Sequence, residues 1–353
     1  MFMELSKSSI ILSQRSQFAN RAIELDKFMP FERVQNFLNF RKKTAKKGVV
    51  MKLKYISLTA LLILMFGISS CGKNQDFTPP VVEIPTKFGT NETLDVITWN
   101  LKEFPLTENT IPYLVDIIPI FDVEVIAFQE IMDATPFYTM AQQIPGYQGS
   151  VYDYSGGWKL AYLYKTTSIQ VNDTYTIFSG DSNPFPRPPH VLDFTFADKD
   201  YFIINNHFKA LGDNFIDETD PWDEEVRRRL ASTKLEEYIR TNMPNERVIL
   251  VGDLNDQIQE PPATNVFLPF LERPEEYLFA TMPIALNPTP NTVSYPRYNS
   301  MIDHILITNE LFESFEAAGS ICQAIRAEEF LGGLTAYYNE LSDHRPVGIR
   351  LAQ

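Results

Sequence analysis

The sequence predicts an α/β fold in which two β-sheets pack face to face with helices outside them. Eight short apolar runs of strand length alternate with three segments of helical spacing through residues 94–353. Many strands and few helices, in one block without a linker or an internal repeat, favour a single layered domain. The composition agrees, because a 353-residue chain that is 44% hydrophobic can bury a full core.

Each predicted strand combines β-branched or aromatic residues with a polar, glycine or proline stop. The clearest run is 248–251, four apolar residues that halt at Gly252, and an unbroken run of this kind is typical of a strand buried on both faces. The eight predicted strands cover residues 94–99, 123–128, 159–164, 191–196, 201–204, 247–251, 302–307 and 346–351.

Helices are predicted at residues 111–121, 136–144 and 223–242. The last is the clearest, because Val226, Leu230, Leu235 and Ile239 follow one apolar stripe. The three arginines at 227–229 fall off that stripe, and the pattern predicts that they lie on a solvated face.

Residues 51–71 carry the pattern of a targeting segment. Lys52 and Lys54 precede an almost wholly apolar run at 56–68, and small residues close it before Cys71. That order resembles a bacterial lipoprotein signal peptide, in which the cysteine is acylated and becomes the mature N-terminus. A transmembrane helix is the alternative, but about 13 apolar residues fall short of the ~20 that a span needs.

The domain organisation follows from this resemblance. Residues 1–50 are predicted to be a non-native or discarded extension, and 51–71 a signal peptide with Cys71 as the lipidation site. Residues 72–93 are predicted to be a polar, proline-containing tether, and 94–353 the folded domain. The protein is therefore expected in a bacterial cell envelope, lipid-anchored to a membrane and extracytoplasmic, with the membrane face left open.

The charge of the chain limits its partners. Residues 72–353 hold 19 Lys and Arg against 41 Asp and Glu, a net charge of −22. A field of that sign does not attract polyanions, so contact with nucleic acid needs a local basic groove that the sequence does not show. The two cysteines, Cys71 and Cys322, define no disulfide framework.

Polar side chains recur where the predicted strands end. Asp253 and Asn255 follow the strand at 247–251, and two residues apart on an extended chain they project to one side. Similar clusters follow or frame other strands at 100, 129–130, 205–207, 300–304 and 342–344, and they contain three of the four histidines. Each cluster alone is explained by a turn or a helix cap, but six of them indicate one shared site.

The order and spacing of these clusters resemble a known superfamily. The segments WNLKEF, FQEI, NNHFKA, GDLND, SMIDHI and SDHRPV are similar to those of the endonuclease/exonuclease/phosphatase superfamily, across residues 94–351. That superfamily includes deoxyribonucleases, abasic-site endonucleases, neutral sphingomyelinases and inositol polyphosphate 5-phosphatases. The resemblance implies a four-layer α-β-β-α sandwich with two central mixed β-sheets and metal-assisted hydrolysis of a phosphoester.

The resemblance also implies a metal site. Glu130 is expected to be the principal metal carboxylate, with Asn100 beside it and Asp343 as a further acidic ligand. Oxygen ligands of this kind suit a hard cation, and the sequence has no Cys/His spacing for zinc. Mg²⁺ is therefore the expected cofactor, with Mn²⁺ and Ca²⁺ as alternatives.

The catalytic roles come from the same resemblance. His344 is expected to be the catalytic histidine, oriented by Asp303, and His207 to contact phosphate oxygens. Asp253 and Asn255 match the family's G-D-x-N segment, which lies against the nucleophile and the phosphoryl group. Whether Asp253 or His344 removes the proton from water stays open.

Three further residues are predicted to bind substrate: Arg187 and Lys209 through phosphate, and His304 through a contact for which packing support is the alternative. The function predicted overall is a metal-dependent phosphodiester hydrolase, endonuclease-like and monomeric, with no protein partner inferred. A phospholipid or sphingomyelin phosphodiesterase and an inositol-phosphate-type phosphatase are alternatives, and a non-catalytic surface binding protein is a rival of another class.

Overall fold

The computed structural model describes residues 87–152 and 156–353. The predicted extension at 1–50, the predicted signal peptide with Cys71 and most of the predicted tether lie outside the described residues. Within the described part of the chain, no helix is both long enough and apolar enough to cross a membrane.

The first sheet contains six strands, numbered here in chain order together with those of the second sheet. Its spatial order is β11-β12-β1-β2-β4-β3, with β1 parallel to β2 and the other neighbours antiparallel. The strands are β1 (Thr93–Phe104), β2 (Val125–Ile131), β3 (Tyr147–Val151), β4 (Lys159–Lys165), β11 (Ile321–Ala324) and β12 (Val347–Ala352).

The second sheet repeats this plan. Its spatial order is β5-β6-β7-β8-β10-β9, with β7 parallel to β8 and the remaining pairs antiparallel. Both sheets are therefore mixed, as predicted. The strands are β5 (Ile169–Thr176), β6 (His190–Phe196), β7 (Lys199–His207), β8 (Arg247–Asp253), β9 (Tyr277–Phe279) and β10 (Asp303–Thr308).

Side-chain alternation along β1 explains how the layers form. Leu94 and Val96 point to one face and join the core that also contains the strands of the second sheet. Ile97 and Trp99 point to the other face, where they pack with residues of α1 (Thr110–Phe121) such as Leu114. Helices thus cover the outside of a two-sheet sandwich, which confirms the predicted α/β architecture.

The remaining helices flank the sheets or connect their strands. The predicted helices at 111–121, 136–144 and 223–242 are confirmed, the second of them lying nearer the N-terminus, at Ala134–Ala141. The third begins one residue later than predicted because Asp223 is its N-cap and accepts from the Val226 N–H at 2.8 Å. Besides α1 the helices are α2 (Ala134–Ala141), α3 (Glu224–Asn242), α4 (Leu268–Leu271), α5 (Met282–Ala285), α6 (Phe312–Glu316) and α7 (Leu334–Glu340).

The prediction of a solvated arginine face on α3 is wrong for two of its three arginines. Arg227 and Arg228 are buried, whereas Leu230 of the predicted apolar stripe is 38% exposed. Arg228 is neutralised by Asp256 at 2.7 Å and by Glu225 at 3.1 Å, so its burial leaves no unpaired charge. The buried face of α3 is therefore partly an ion-pair network, which a hydrophobic stripe does not reveal.

Candidate active site

A buried polar network, formed by Gln129, Asn205 and Thr98, joins the two sheets next to the ends of their strands. The amide nitrogen of Gln129, on β2, donates to Asn205 Oδ1 on β7 at 2.8 Å and to Thr98 on β1 at 2.9 Å. Asn205 in turn donates to the Phe128 carbonyl at 2.9 Å. Because these side chains are buried and these hydrogen bonds cross between the sheets, the polar network fixes the distance between the sheets at this end. Glu130 follows Gln129 on β2, and His207 follows Asn205 on β7.

Glu130 is held in an uncommon backbone conformation. Its φ angle is +62°, and the pairing of β1 with β2 is irregular between Asn100 and Phe104. A non-glycine residue in the left-handed region costs on the order of 1–3 kcal/mol and persists where the surroundings impose it. The Glu103 N–H, which donates to Glu130 Oε2 at 3.0 Å, supplies one such constraint. The irregularity directs the Glu130 carboxylate away from the hydrogen bonds between β1 and β2 and toward the second sheet.

Asp253 lies at the end of β8, opposite Glu130, and Asn100 bridges the two carboxylates. The Asn100 amide nitrogen donates to Glu130 at 3.1 Å and to Asp253 Oδ2 at 2.9 Å. Its oxygen accepts from the Lys102 N–H at 2.8 Å. Asn100 therefore faces Glu130 and Asp253 with its donor side and orients their carboxylates, and its own role as a metal ligand stays a prediction.

Two histidines flank the carboxylate of Asp253. His207 Nε2 lies 3.6 Å from Asp253 Oδ2 and 3.8 Å from Glu130 Oε1. His344 Nε2 lies 3.9 Å from the same Asp253 oxygen. The structure thus brings together residues from β2, β7, β8 and the loop before β12, as the strand-end clusters predict.

Asp303 orients His344. Asp303 Oδ2 lies 2.8 Å from His344 Nδ1, and Asp303 itself is completely buried. The antiparallel register pairs Asp303 with Asp253 across β10 and β8, so the two carboxylates hold the imidazole between them. A carboxylate at Nδ1 fixes that nitrogen as the protonated one and leaves Nε2 for chemistry.

The surroundings give the two histidines opposite protonation tendencies. Burial lowers the pKa of His344, but the charges of Asp303 and Asp253 outweigh burial and raise that pKa to about 10. Burial, together with the nearby charges of Arg187 and His344, holds the pKa of His207 well below its usual value. Burial also raises the pKa of Asp253 to about 7, against the lowering effect of the His344 charge.

The donor set at the strand ends fits a divalent cation. Glu130, His207 and Asp253 each offer one ligand atom, and these three atoms lie within 4.8 Å of one another. Two carboxylate oxygens suit the hard cation that was predicted. Asp343 is not a member of this group, and its carboxylate lies 3.5 Å from Lys102 Nζ. The carboxylate grouped with Glu130 is therefore that of Asp253, whereas Asp343 as a further ligand stays a prediction.

Comparison with known proteins identifies the architecture. A model of the endonuclease/exonuclease/phosphatase family matches residues 97–344, which include every residue of this cluster. The chain belongs to that family. Members of the family are divalent-metal-dependent phosphoesterases, and the chain is accordingly an enzyme of that class. A search of curated proteins finds no match.

Solved structures of this family share the fold. The D. rerio TDP2 complex with single-strand DNA product has a TM-score of 0.55 at 13% identity, covering 74% of this chain and 100% of that chain. The human Nocturnin catalytic domain with bound sulfate gives 0.54 at 14%, covering 74% and 94%. A family protein from Bacteroides thetaiotaomicron gives 0.51 at 15%, covering 73% and 97%.

Two of the predicted substrate contacts line the loop that follows His207. Lys209 Nζ lies 3.2 Å from Glu224 and donates to the Ala210 carbonyl, so its charge is partly neutralised. Arg187 donates to the Phe208 carbonyl at 3.3 Å and stacks over Trp158 at 4.9 Å. Arg187 reaches the site through Trp158, which packs on His207, and the role of both cations in phosphate binding stays a prediction.

The other two residues outside the carboxylate cluster have mainly supporting contacts. His304 is completely buried, with Nδ1 3.0 Å from Thr281 Oγ1 and Nε2 2.9 Å from the Asp256 carbonyl. This position favours the packing alternative, and a substrate contact by His304 stays a prediction. The Asn255 N–H donates to Asp253 Oδ1 at 3.1 Å, so Asn255 orients that carboxylate.

Aromatic rings pack against both site histidines, and no role was predicted for these rings from the sequence. Trp158 lies parallel to His207, with ring centroids 5.9 Å apart and an interplanar angle of 8°. Tyr295 covers the ring of His344 at 4.7 Å. The only sequence signal for them is the occurrence of an aromatic residue in a glycine-rich or proline-rich loop before a predicted strand.

Gly252 is predicted to be indispensable to the placement of Asp253. Its φ angle is +144°, and a Cβ atom there would lie 1.9 Å from the Asn206 carbonyl oxygen on β7. Gly252→Ala should therefore separate β7 from β8 and lower the free energy of unfolding by about 2–5 kcal/mol.

Gly146 provides a matched control for this substitution. Its φ angle is also positive, at +83°, but no atom lies within 4 Å of a Cβ built there. Gly146→Ala should cost about 1 kcal/mol through backbone strain alone. Equal losses for the two variants in chemical denaturation would contradict the close-approach argument.

Proposed function

We propose that the protein is a phosphodiesterase that cleaves nucleic-acid backbones by attack of water on phosphorus, with Mg²⁺ as its metal. The observation that carries this proposal is the pair of histidines near one oxygen of Asp253, at 3.6 and 3.9 Å, beside Glu130. The paired histidines are similar to those of the deoxyribonuclease branch of the family. The structural likeness to TDP2, solved with single-strand DNA product, supports the same substrate class.

The cation is assigned to the carboxylate side of the site. Glu130 and Asp253 would hold it, with Asp343 as a further ligand across from Lys102. When bound, a divalent cation supplies charge stabilisation for the phosphoryl group and lowers the pKa of water. Asn100 keeps the two carboxylates together by donating to both.

Proton transfer is assigned to Asp303, His344 and Asp253 as one unit. Asp303 holds His344 Nδ1 at 2.8 Å, and His344 Nε2 faces Asp253 at 3.9 Å. The pKa of about 10 keeps His344 protonated at neutral pH, so the proton of the attacking water is assigned to Asp253. The neighbouring imidazole can share that proton, because its Nε2 faces the same carboxylate. His207, whose ring is buried and packed on Trp158, is left to donate to a phosphate oxygen.

Parallel assays with a panel of substrates test the proposal. The purified protein with Mg²⁺ should hydrolyse bis(p-nitrophenyl) phosphate and single-stranded DNA or RNA, with weaker cleavage of nucleic acid as salt rises. Hydrolysis of sphingomyelin or of a phosphoinositide without any nuclease activity would instead assign the protein to the lipid branch. No hydrolysis of any phosphodiester would contradict the function itself.

The location follows from the resemblance to a lipoprotein signal peptide and remains a proposal. Cys71→Ala should abolish the incorporation of labelled palmitate and release the protein from the membrane fraction, because acylation is the only anchor that is predicted. Cys322→Ala is the matched control and should leave labelling unchanged. A wild-type protein that takes up no palmitate would overturn the lipoprotein interpretation.

A further inference from the structure

A short aromatic stack leads from the catalytic histidine to the protein surface. Tyr295 covers His344 with ring centroids 4.7 Å apart and an interplanar angle of 31°. Tyr298 covers Tyr295 at 5.2 Å and 27°. Tyr298 is 66% exposed, so one of its faces is open to solvent while the other is packed. The stack therefore presents an aromatic surface two ring spacings from the imidazole of His344.

The turn that carries Tyr298 is held in place by its own backbone. Tyr295 and Ser300 exchange two backbone hydrogen bonds, at 3.0 and 3.2 Å, which close a loop around Tyr298. Asn299 adopts a left-handed conformation, and its N–H donates to the Pro296 carbonyl at 3.2 Å. A ring presented on a preformed turn loses little conformational entropy when a ligand stacks on it.

The exposed residues next to Tyr298 are polar. Arg297 precedes it and Asn299 follows it, and both are exposed. A membrane-inserting surface needs a contiguous apolar patch, which this turn does not offer. An aromatic ring beside a cation suits a ligand that carries both a flat ring and a phosphate.

We propose that Tyr298 and Arg297 form a subsite for the nucleobase and phosphate of a nucleotide next to the scissile phosphodiester. The base stacks on the open face of Tyr298, and Arg297 contacts the neighbouring backbone phosphate. The subsite rests on the proposed phosphodiesterase function and selects, within it, a single-stranded nucleic acid whose bases are free to stack. Tyr295 lies between Tyr298 and His344 and holds the Tyr298 ring in position.

The test compares the binding of an oligonucleotide with the binding of an abasic oligomer that carries the same charge. The intact protein is titrated in EDTA, which prevents cleavage, with a labelled oligothymidylate of about eight nucleotides and with an abasic oligomer of equal length. Wild-type protein should bind the oligothymidylate more tightly than the abasic oligomer by about 5- to 100-fold. Tyr298→Ala should lose this preference, Tyr298→Phe should keep it, and Arg297→Ala should weaken both oligomers equally.

A preference for bases that survives in Tyr298→Ala, or that is missing from the wild type, would overturn the subsite. Vesicles of phosphatidylcholine and phosphatidylglycerol form a separate arm, and binding there that depends on Tyr298 without any base preference assigns the ring to a lipid surface instead. The hydrolysis assays distinguish failure of the subsite from failure of the proposed phosphodiesterase function. Phosphodiester turnover without a Tyr298-dependent base preference overturns only the subsite, whereas no turnover on any substrate overturns both proposals.

Discussion

Replacing His344 by Ala should lower kcat by on the order of 10²- to 10⁴-fold while leaving the fold and most substrate affinity intact. The imidazole lies between Asp303 at 2.8 Å and Asp253 at 3.9 Å, so its removal takes away the group that passes the proton. Steady-state kinetics with bis(p-nitrophenyl) phosphate, together with thermal unfolding, separate loss of chemistry from loss of structure.

Asp303→Asn should reproduce much of this loss. The amide cannot stabilise an imidazolium or select the Nδ1–H tautomer, although it has nearly the same shape. Because the two residues act in one step, the double variant should be little worse than the worse single variant. Losses that multiply, or a His344→Ala enzyme with near-normal kcat at neutral pH, would contradict the assignment of this pair.

Glu130→Gln should lower activity on the order of 10²-fold or more at low Mg²⁺ and recover part of it as Mg²⁺ is raised. The amide keeps one oxygen near Asn100 but removes a negative charge from the group that faces the cation. Metal titrations of turnover measure this directly, because the defect is expected in metal affinity more than in the rate at saturation.

Glu103→Gln is the matched control for this prediction. Glu103 is exposed, and it contacts Glu130 through its backbone N–H, which a change of side chain leaves in place. Its metal titration should follow that of the wild type. If Glu130→Gln has an unchanged metal requirement, or if saturating Mg²⁺ rescues His344→Ala equally well, the division between metal binding and proton transfer is wrong.

The sequence predicted the interior of both sheets and missed their edges. The four strands that were not predicted are β3, β5, β9 and β11, and these are the four outermost strands of the two sheets. An edge strand pairs on one side only and is more exposed, as β11 with its alternation of exposed and half-buried residues shows. A search for continuous apolar runs finds strands buried on both faces and passes over such edges.

The strand-end positions of the site were predictable for the same reason. Asp253, Glu130 and His207 each follow a strong apolar run, so their place at one end of the sheets follows from the strand pattern. The stacking of Tyr295 on His344 depends on a loop with no regular pattern, and no periodicity predicts it. The buried Arg228 was missed because its partner Asp256 is distant in sequence.

The proposed metal-dependent hydrolysis at Asp253 is tested by the rate of bis(p-nitrophenyl) phosphate hydrolysis. The rate is measured for the wild-type protein and for Asp253→Asn, each with Mg²⁺ and with excess EDTA. Asp253 contacts Asn100 at 2.9 Å, lies beside both histidines, and belongs to two of the three groups of potential metal ligands among the described residues. Turnover is expected only for the wild type with Mg²⁺, with a loss of at least ~10²-fold in the variant. Equal rates in EDTA, or an Asp253→Asn protein as active as the wild type, would contradict it.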